Sequence, residues 1–226
     1  ALIGKTPNYG MHLAENRRAE IVVRVEPKLR DEMEFGALGI YAGKILKEKI
    51  PHFAGLSNPS ERNLKHLGAA LASSGMTSIF HYGTEHDKKL ERVTVEKANL
   101  KSAIEELSTT SGKPDLIFIG CPHCSIREIK DIAKLISGRK VKKGVRLWVC
   151  ASQHVREKTK AYVRMIEKAG GLVLCGTCPV VSWLRELGVE TLMTNSAKTA
   201  YYAPLLNGVE TILASMSKCI DAACSP

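Results

Sequence analysis

The apolar positions fall into short β-branched runs separated by amphipathic stretches of helical spacing. Ile21-Val22-Val23-Arg24-Val25 predicts a strand. Asp31 to about Leu46 has helical character, with Met33, Leu38 and Ile40 apolar; Gly36, Gly39 and Gly43 weaken it as a helix but would permit close backbone packing. Ser60 stands where a capping residue should, ahead of a helix that runs to Ser73. Strands are predicted at 77–82 and 93–95, and a helix from Asn99 to Leu107 with Leu100, Ile104 and Leu107 on one face.

Ser108 to Pro114 is a polar, turn-rich link. It suggests two α/β lobes, 1–112 and 113–226. Beyond it the rhythm is regular. Strands are predicted at 115–120, 145–149 and 172–174, and shorter ones at 191–193 and 211–213. Helices are predicted at 125–137, 154–169 and, briefly, 180–187. Such alternation implies right-handed βαβ crossovers and mostly parallel sheets flanked by helices.

Length and composition bound this picture. The 226 residues, 44% of them hydrophobic, suffice for a sizeable core. No apolar run approaches the roughly 18–20 residues of a membrane span. The chain opens at Ala1 without Met, and the loop-like stretch that follows reads as a cut, with the first lobe continuing a missing upstream region. The formal charge of +10 favours an acidic partner: nucleic acid, a phosphorylated metabolite or an acidic subunit. Most basic residues alternate with acids, as in Arg127-Glu128 and Lys130-Asp131; only Arg139-Lys140-Val141-Lys142-Lys143 is a basic run, read as an exposed helix-to-strand turn. Aromatics at 5%, without a stacking pattern among the basics, argue against nucleic acid. Seven cysteines with no secretory signal indicate a reducing compartment, the cytoplasm, and metal or redox work rather than a disulfide framework.

Ligands of parallel α/β folds gather outside the carboxyl ends of the strands. Two C-x-x-C pairs fall there: Cys121-Pro122-His123-Cys124 and Cys175-Gly176-Thr177-Cys178, each ahead of a predicted helix. A helix N-terminus stabilises a thiolate, the metal-binding form. Four thiolates could close a zinc site; three could hold an iron–sulfur cluster with one iron open; unligated core thiols are the bland alternative. Cys150, Cys219 and Cys224 read as buried structural thiols. A third rich segment, Thr194 to Pro204, offers Asn195, Ser196, Lys198 and Tyr202 for a carboxylate or phosphate, or is merely a solvated loop. The opening segment adds His12, Glu15, Asn16, Arg17 and Arg18; the paired arginines could be an anion clamp or only a charged lead-in to the first strand. His52, His66, His81, His86 and His154 have no ligand-like spacing.

Four stretches resemble the aconitase X family. Gly4 to His12 with Glu15-Asn16-Arg17 resembles its G-x-T-P-x-Y-G-x-H…E-N-R segment, and Gly120-Cys121-Pro122-His123 with Ser125 its G-C-P-H-x-S motif. Thr177-Cys178 with Val180-Val181 resembles its T-C-x-V-V segment. Thr194 to Lys198 with Tyr202-Ala203-Pro204 resembles its T-N-S-x-K…Y-A-P stretch. The resemblance implies an aconitase-like fold and a hydro-lyase. It implies iron held by Cys121 and Cys178, with Cys124 and Cys175 second in line and a third ligand outside this chain. The cofactor would be a 4Fe–4S cluster, or else a 2Fe–2S cluster or a single iron. It also implies a small swivelling-domain subunit carrying the catalytic base, a serine. The implied reaction is dehydration of phosphomevalonate, or alternatively of cis-3-hydroxy-L-proline; the basic balance favours the phosphorylated substrate and an archaeal source. The competing classes are a structural zinc protein and a basic nucleic-acid-binding module.

Overall fold

The computed structural model describes residues 2, 4–5, 7–84 and 89–225; Thr6 of the opening motif and His86 lie outside the described residues. The chain forms two parallel sheets, each covered by helices. The first holds β1 (Ile21–Val25), α1 (Glu32–Leu46), β2 (Pro51–Ala54), α2 (Glu61–Gly75), β3 (His81–Tyr82), β4 (Glu91–Val95) and α3 (Lys97–Glu106), with strands in the order β3-β2-β1-β4. The second holds β5 (Leu116–Cys124), α4 (Ile126–Leu135), the short β6 (Lys140–Val141), β7 (Arg146–Ala151), α5 (Gln153–Lys158), α6 (Lys160–Lys168) and β8 (Leu172–Leu174). It continues through β9 (Thr191–Thr194), α7 (Ala197–Asn207), β10 (Glu210–Leu213), α8 (Met216–Ala223) and β11 (Cys224–Ser225). Its parallel order is β10-β9-β5-β7-β8, while β6 and β11 pair separately and antiparallel.

Both sheets change winding direction at an interior strand. From β5 the chain moves outward through β7 to β8, then returns to lay β9 and β10 on the other side of β5. From β1 it moves through β2 to β3 and returns to place β4 beside β1. Loops leave such a point in opposite directions and open a crevice at the carboxyl ends of the strands. The two crevices meet. Glu32, in the first turn of α1, accepts a hydrogen bond from Asn195 Nδ2 at 2.9 Å, just beyond β9. An apolar seam of Ile40, Ala70, Leu107, Ala197, Ala200 and Leu213 joins the lobes behind it.

Several elements depart from the sequence pattern. The helix expected at 154–169 is broken at Thr159, whose Oγ1–H donates back to the Val155 carbonyl at 2.7 Å. The helix expected at 180–187 is only a 3-10 turn, Pro179–Val181; the β-branched pair Val180-Val181 suits a helix poorly, and Trp183 takes a left-handed φ of 50°. The segment read as a loop from 194 to 204 is mostly α7, capped by Ser196 and carrying Pro204 inside it. The polar link runs along β10, with Thr109 N–H donating to Thr211 O at 2.9 Å and Thr211 N–H to Thr109 Oγ1 at 2.9 Å.

The basic run has a structural use. Arg139 donates to Leu135 O at the end of α4, Lys140 to Lys168 O at the end of α6, and Lys142 to Asp221 O and Ala222 O at the end of α8. Cations are favoured there because the last carbonyls of a helix are unpaired and partly negative. Among the described residues no helix is long and apolar enough to cross a membrane.

The glycines of α1 let it lie against α2. A Cβ on Gly39 would sit 2.6 Å from Leu67 O and 2.8 Å from Ala70 Cβ. Gly39→Ala should therefore cost about 2 kcal/mol despite the better helix propensity of alanine, seen as a lower urea midpoint. An unchanged midpoint would show that the helices can separate freely.

Candidate functional site

β5 and β7 run in register to Ile119 opposite Val149, and pairing resumes at Cys124 opposite Ala151. Five steps along β5 are thus matched by two along β7, so Gly120-Cys121-Pro122-His123 bulges from the ladder. Only glycine fits at its root. Gly120 has φ of 120°, and a Cβ there would lie 2.3 Å from the Cys150 carbonyl oxygen. The Cys121–Pro122 peptide is cis.

The bulge separates the two cysteines of the first pair. Cys121 packs with Leu116, Phe118 and Cys150 on one face of the sheet, whereas Cys124 packs with Ile117, Ile119, Val149 and Ala151 on the other. Burial, then the neighbouring Glu128 carboxylate, pushes the Cys124 thiol far up. The free N–H groups expected to help it are already used: Ser125 and Glu128 form a reciprocal capping box on α4. Cys124 is an inert core thiol in this setting. Cys219 is likewise pushed up by burial.

The second pair approaches the Cys121 face. Its loop follows β8, with β7 lying between β8 and β5, so the two loops are about 10 Å apart by strand spacing. His123 Nε2–H bridges them, donating to Thr177 O at 3.1 Å. Ser182 Oγ–H donates to Cys178 O at 2.6 Å, and Asn207 Nδ2 to Val180 O at 3.0 Å, fixing the loop from below. Cys150, wholly buried on β7, packs with Cys121; burial and then Cys178, Cys121 and Cys175 push its thiol up to about 12. The hydrogen bond from His123 to Thr177 is a direct contact between the two cysteine loops. Among the described residues no group of three His, Cys, Asp or Glu side chains is gathered as a complete metal site. The soft donors Cys121 and half-buried Cys178 suit iron or zinc as part of a set.

The other anticipated residues are placed differently. Ser196 is buried and caps α7, accepting from Thr199 N–H at 3.1 Å. Tyr202 O–H donates to Ser73 O at 3.2 Å and ties α7 to α2. Asn195 is spent on Glu32 through Nδ2, while its Oδ1 and Thr199 Oγ1 are buried without a partner. Lys198 is half-buried. His12, Asn16 and Arg17 lie on exposed 3-10 turns at the far edge of the first sheet. Asn16 Nδ2 donates to Gly10 O at 2.8 Å, and Arg17 O contacts His81 Nε2 at 2.6 Å on edge strand β3. None of these contacts brings them to the cysteine loops.

The cleft between the lobes was invisible to sequence reasoning. It encloses about 780 Å³ between the first turns of α1, α2 and α4, with Arg30, Arg62, Lys65 and Arg127 facing Glu32, Glu128 and Asp131. Glu128, 2% exposed, lies at its base. It accepts from Lys65 Nζ at 2.6 Å and Ser125 N–H at 2.8 Å, with Arg62 Nε and His66 Nε2 each at 3.8 Å. Burial alone would raise its pKa; the His66 ring, the Lys65 ammonium and the Ser125 N–H outweigh burial and hold the carboxyl well below the usual range. Ser125-Ile126-Arg127-Glu128 is a legible capping pattern, but the partners come from a helix some sixty residues earlier.

Comparison with known proteins extends this geometry. The model of the aconitase X second domain matches residues 19–105, and that of the third domain matches 114–225. The phosphomevalonate dehydratase large subunit of Methanocaldococcus jannaschii is 40% identical, over 96% of this chain and 58% of its own length. That of Methanothermobacter thermautotrophicus is 43% identical, over 94% and 55%. The cis-3-hydroxy-L-proline dehydratase of Pseudomonas aeruginosa is 32% identical, over 99% and 42%. The crystal structure of Thermococcus kodakaraensis aconitase X in its holo-form superposes with a TM-score of 0.90 at 35% identity, over 99% of this chain and 60% of that one. The chain thus spans little more than half the length of the large subunits it matches.

The site makes two predictions. Under a thiol reagent, Cys175 and Cys178 should react first, and Cys124, Cys150 and Cys219 only on unfolding; mass mapping of early labelling at Cys124 would contradict its burial. Glu128→Ala leaves Lys65 without its ion-pair partner, while Arg62 keeps Asp131, and should cost about 3 kcal/mol. Because the folded carboxyl titrates below its ordinary value of 4.5, its contribution is full above that pH and fades as the pH falls. Urea midpoints across pH 3–7 should fall steeply for the wild type below about 4.5 and more gently for Glu128→Gln.

Proposed function

Since the chain belongs to the aconitase X family, we propose that it is the core of the large subunit of a hydro-lyase that dehydrates 5-phosphomevalonate. This reading is supported by the hydrogen bond from the His123 ring to Thr177 O, which links the loop of Cys121 to that of Cys178 beyond the carboxyl ends of β5 and β8. The donor chemistry fits iron, as a 4Fe–4S cluster, with the third ligand that the family resemblance implies expected outside this chain. Bound there, an iron centre supplies Lewis-acid polarisation of the leaving hydroxyl.

This chain's own residues do the rest of the holding. Cys121 and Cys178 provide thiolates, and the His123 bridge keeps their loops at a set separation. Lys198, at the start of α7, and Arg127, at the start of α4, carry positive charge on turns next to switch-point strands, where substrate carboxylate and phosphate would be met. The elimination removes a proton from the carbon beside the carboxylate and a hydroxide from its neighbour, leaving an alkene and water. A small swivelling-domain subunit would bring the base, and the printed name of the relatives, large subunit, supports such a partner. Phosphomevalonate is preferred to cis-3-hydroxy-L-proline because relatives named for the former reach 43% identity against 32% for the latter. A cytoplasmic setting accords with seven free thiols.

The test uses the complete two-subunit protein, reconstituted anaerobically with iron and sulfide and assayed on both substrates. Cys121→Ser and Cys178→Ser should lose bound iron and reduce kcat by at least about 100-fold. Full iron retention in either variant, or a colourless protein holding only zinc, would defeat the assignment.

A further inference from the structure

We infer that Lys65 is a positioning residue that holds the Cys121 loop from the neighbouring lobe. This rests on the ligand roles proposed for Cys121 and Cys178 and adds the device that sets their spacing. Lys65 stands on α2, in the first lobe, yet both partners of its ammonium are in the second: Glu128 Oε2 at 2.6 Å and the His123 carbonyl at 2.9 Å. The second bond is the informative one. His123 lies within the bulge between Cys121 and Cys124, where the ladder to β7 is interrupted. A bulged backbone lacks sheet hydrogen bonds to define it, so an outside donor takes their place.

The chain of contacts continues. The same residue, His123, donates from its ring to Thr177 O, beside Cys178. One ammonium is therefore linked by two hydrogen bonds in series to both loops that carry the proposed ligands. Lys65 is itself held. Its side chain is 24% exposed, and Glu128, at 2%, is anchored by the capping box of α4 and flanked by Arg62, which also pairs with Asp131. A lysine on a flexible four-carbon stem becomes a precise donor only when an ion pair removes its freedom. Lys65 acts on the Cys121 loop through the His123 backbone.

The experiment uses the reconstituted two-subunit holoenzyme. Lys65→Met keeps the aliphatic stem and deletes the donor; Lys65→Arg keeps charge and donors; Lys101→Met, on the exposed face of α3, is the control. Iron release to a chelator is followed optically, the cluster by electron paramagnetic resonance after one-electron reduction with dithionite, and kcat and KM separately. Lys65→Met should release iron about tenfold faster, with an altered resonance line shape and a kcat lowered about tenfold at near-constant KM. Lys65→Arg should restore most of each, and Lys101→Met should match the wild type. Lys65→Gln, shorter and neutral, takes the place of Lys65→Met if that variant does not fold, with the same changes expected. Wild-type release rate and line shape in the folded Lys65 variant would overturn the inference while leaving the iron reading intact. A wild-type protein that binds no iron through Cys121 and Cys178 would overturn both.

Discussion

A carboxylate removed from water remains charged only if the protein supplies what water did. Glu128 meets that demand with cations from another lobe, and much of the molecule's internal arrangement follows from it. Lys65 and Arg62 extend from α2 to reach it, which ties the start of α2 to the start of α4 across the cleft. The first turns of α1, α2 and α4 then face one cleft, and the cysteine bulge lies directly beside the ion pair. The apolar seam of α1, α2 and α7 contributes area but little direction; the buried ion pair contributes direction, because an unpartnered charge at that depth would cost several kcal/mol.

The elements legible in the sequence were those whose pattern is local. β1, α1, α2, β5 and α4 declare themselves through β-branched runs, helical spacing and the caps Asp31, Ser60 and Ser125. β2 was missed, because Pro51 opens it and only four residues follow one another in the ladder. α7 was read as a loop for the same features that make it unusual: a polar Thr-Asn-Ser lead-in and an internal proline. Tertiary packing against α1 and α2 stabilises a helix that propensity alone would not.

Of the candidate site, the two cysteine loops are legible in the sequence and their arrangement is not. Spacing treats Cys121 and Cys124 as equivalents. Only the bulge at Gly120, set by the approach of the Cys150 carbonyl, assigns them to opposite faces. Likewise Ser196 and Tyr202 have the composition of ligand-binding residues but are occupied with a helix cap and an inter-helix bond. The net charge of +10 points to an acidic partner, yet in the one basic run Lys140 and Lys142 donate to helix-end carbonyls and Arg139 pairs with Asp221. Charge counted along a chain does not distinguish a cation offered to solvent from one consumed by the fold.

The division of the first C-x-x-C across the sheet has a chemical consequence. Two thiols so spaced in sequence would ordinarily close a fourteen-membered ring on oxidation and protect each other, as redox motifs do. Here the plane of the sheet stands between them. An oxidant reaching Cys121 finds a resolving thiol only outside its own motif, where Cys150 packs on the same face, so a disulfide formed there would tie β5 to β7.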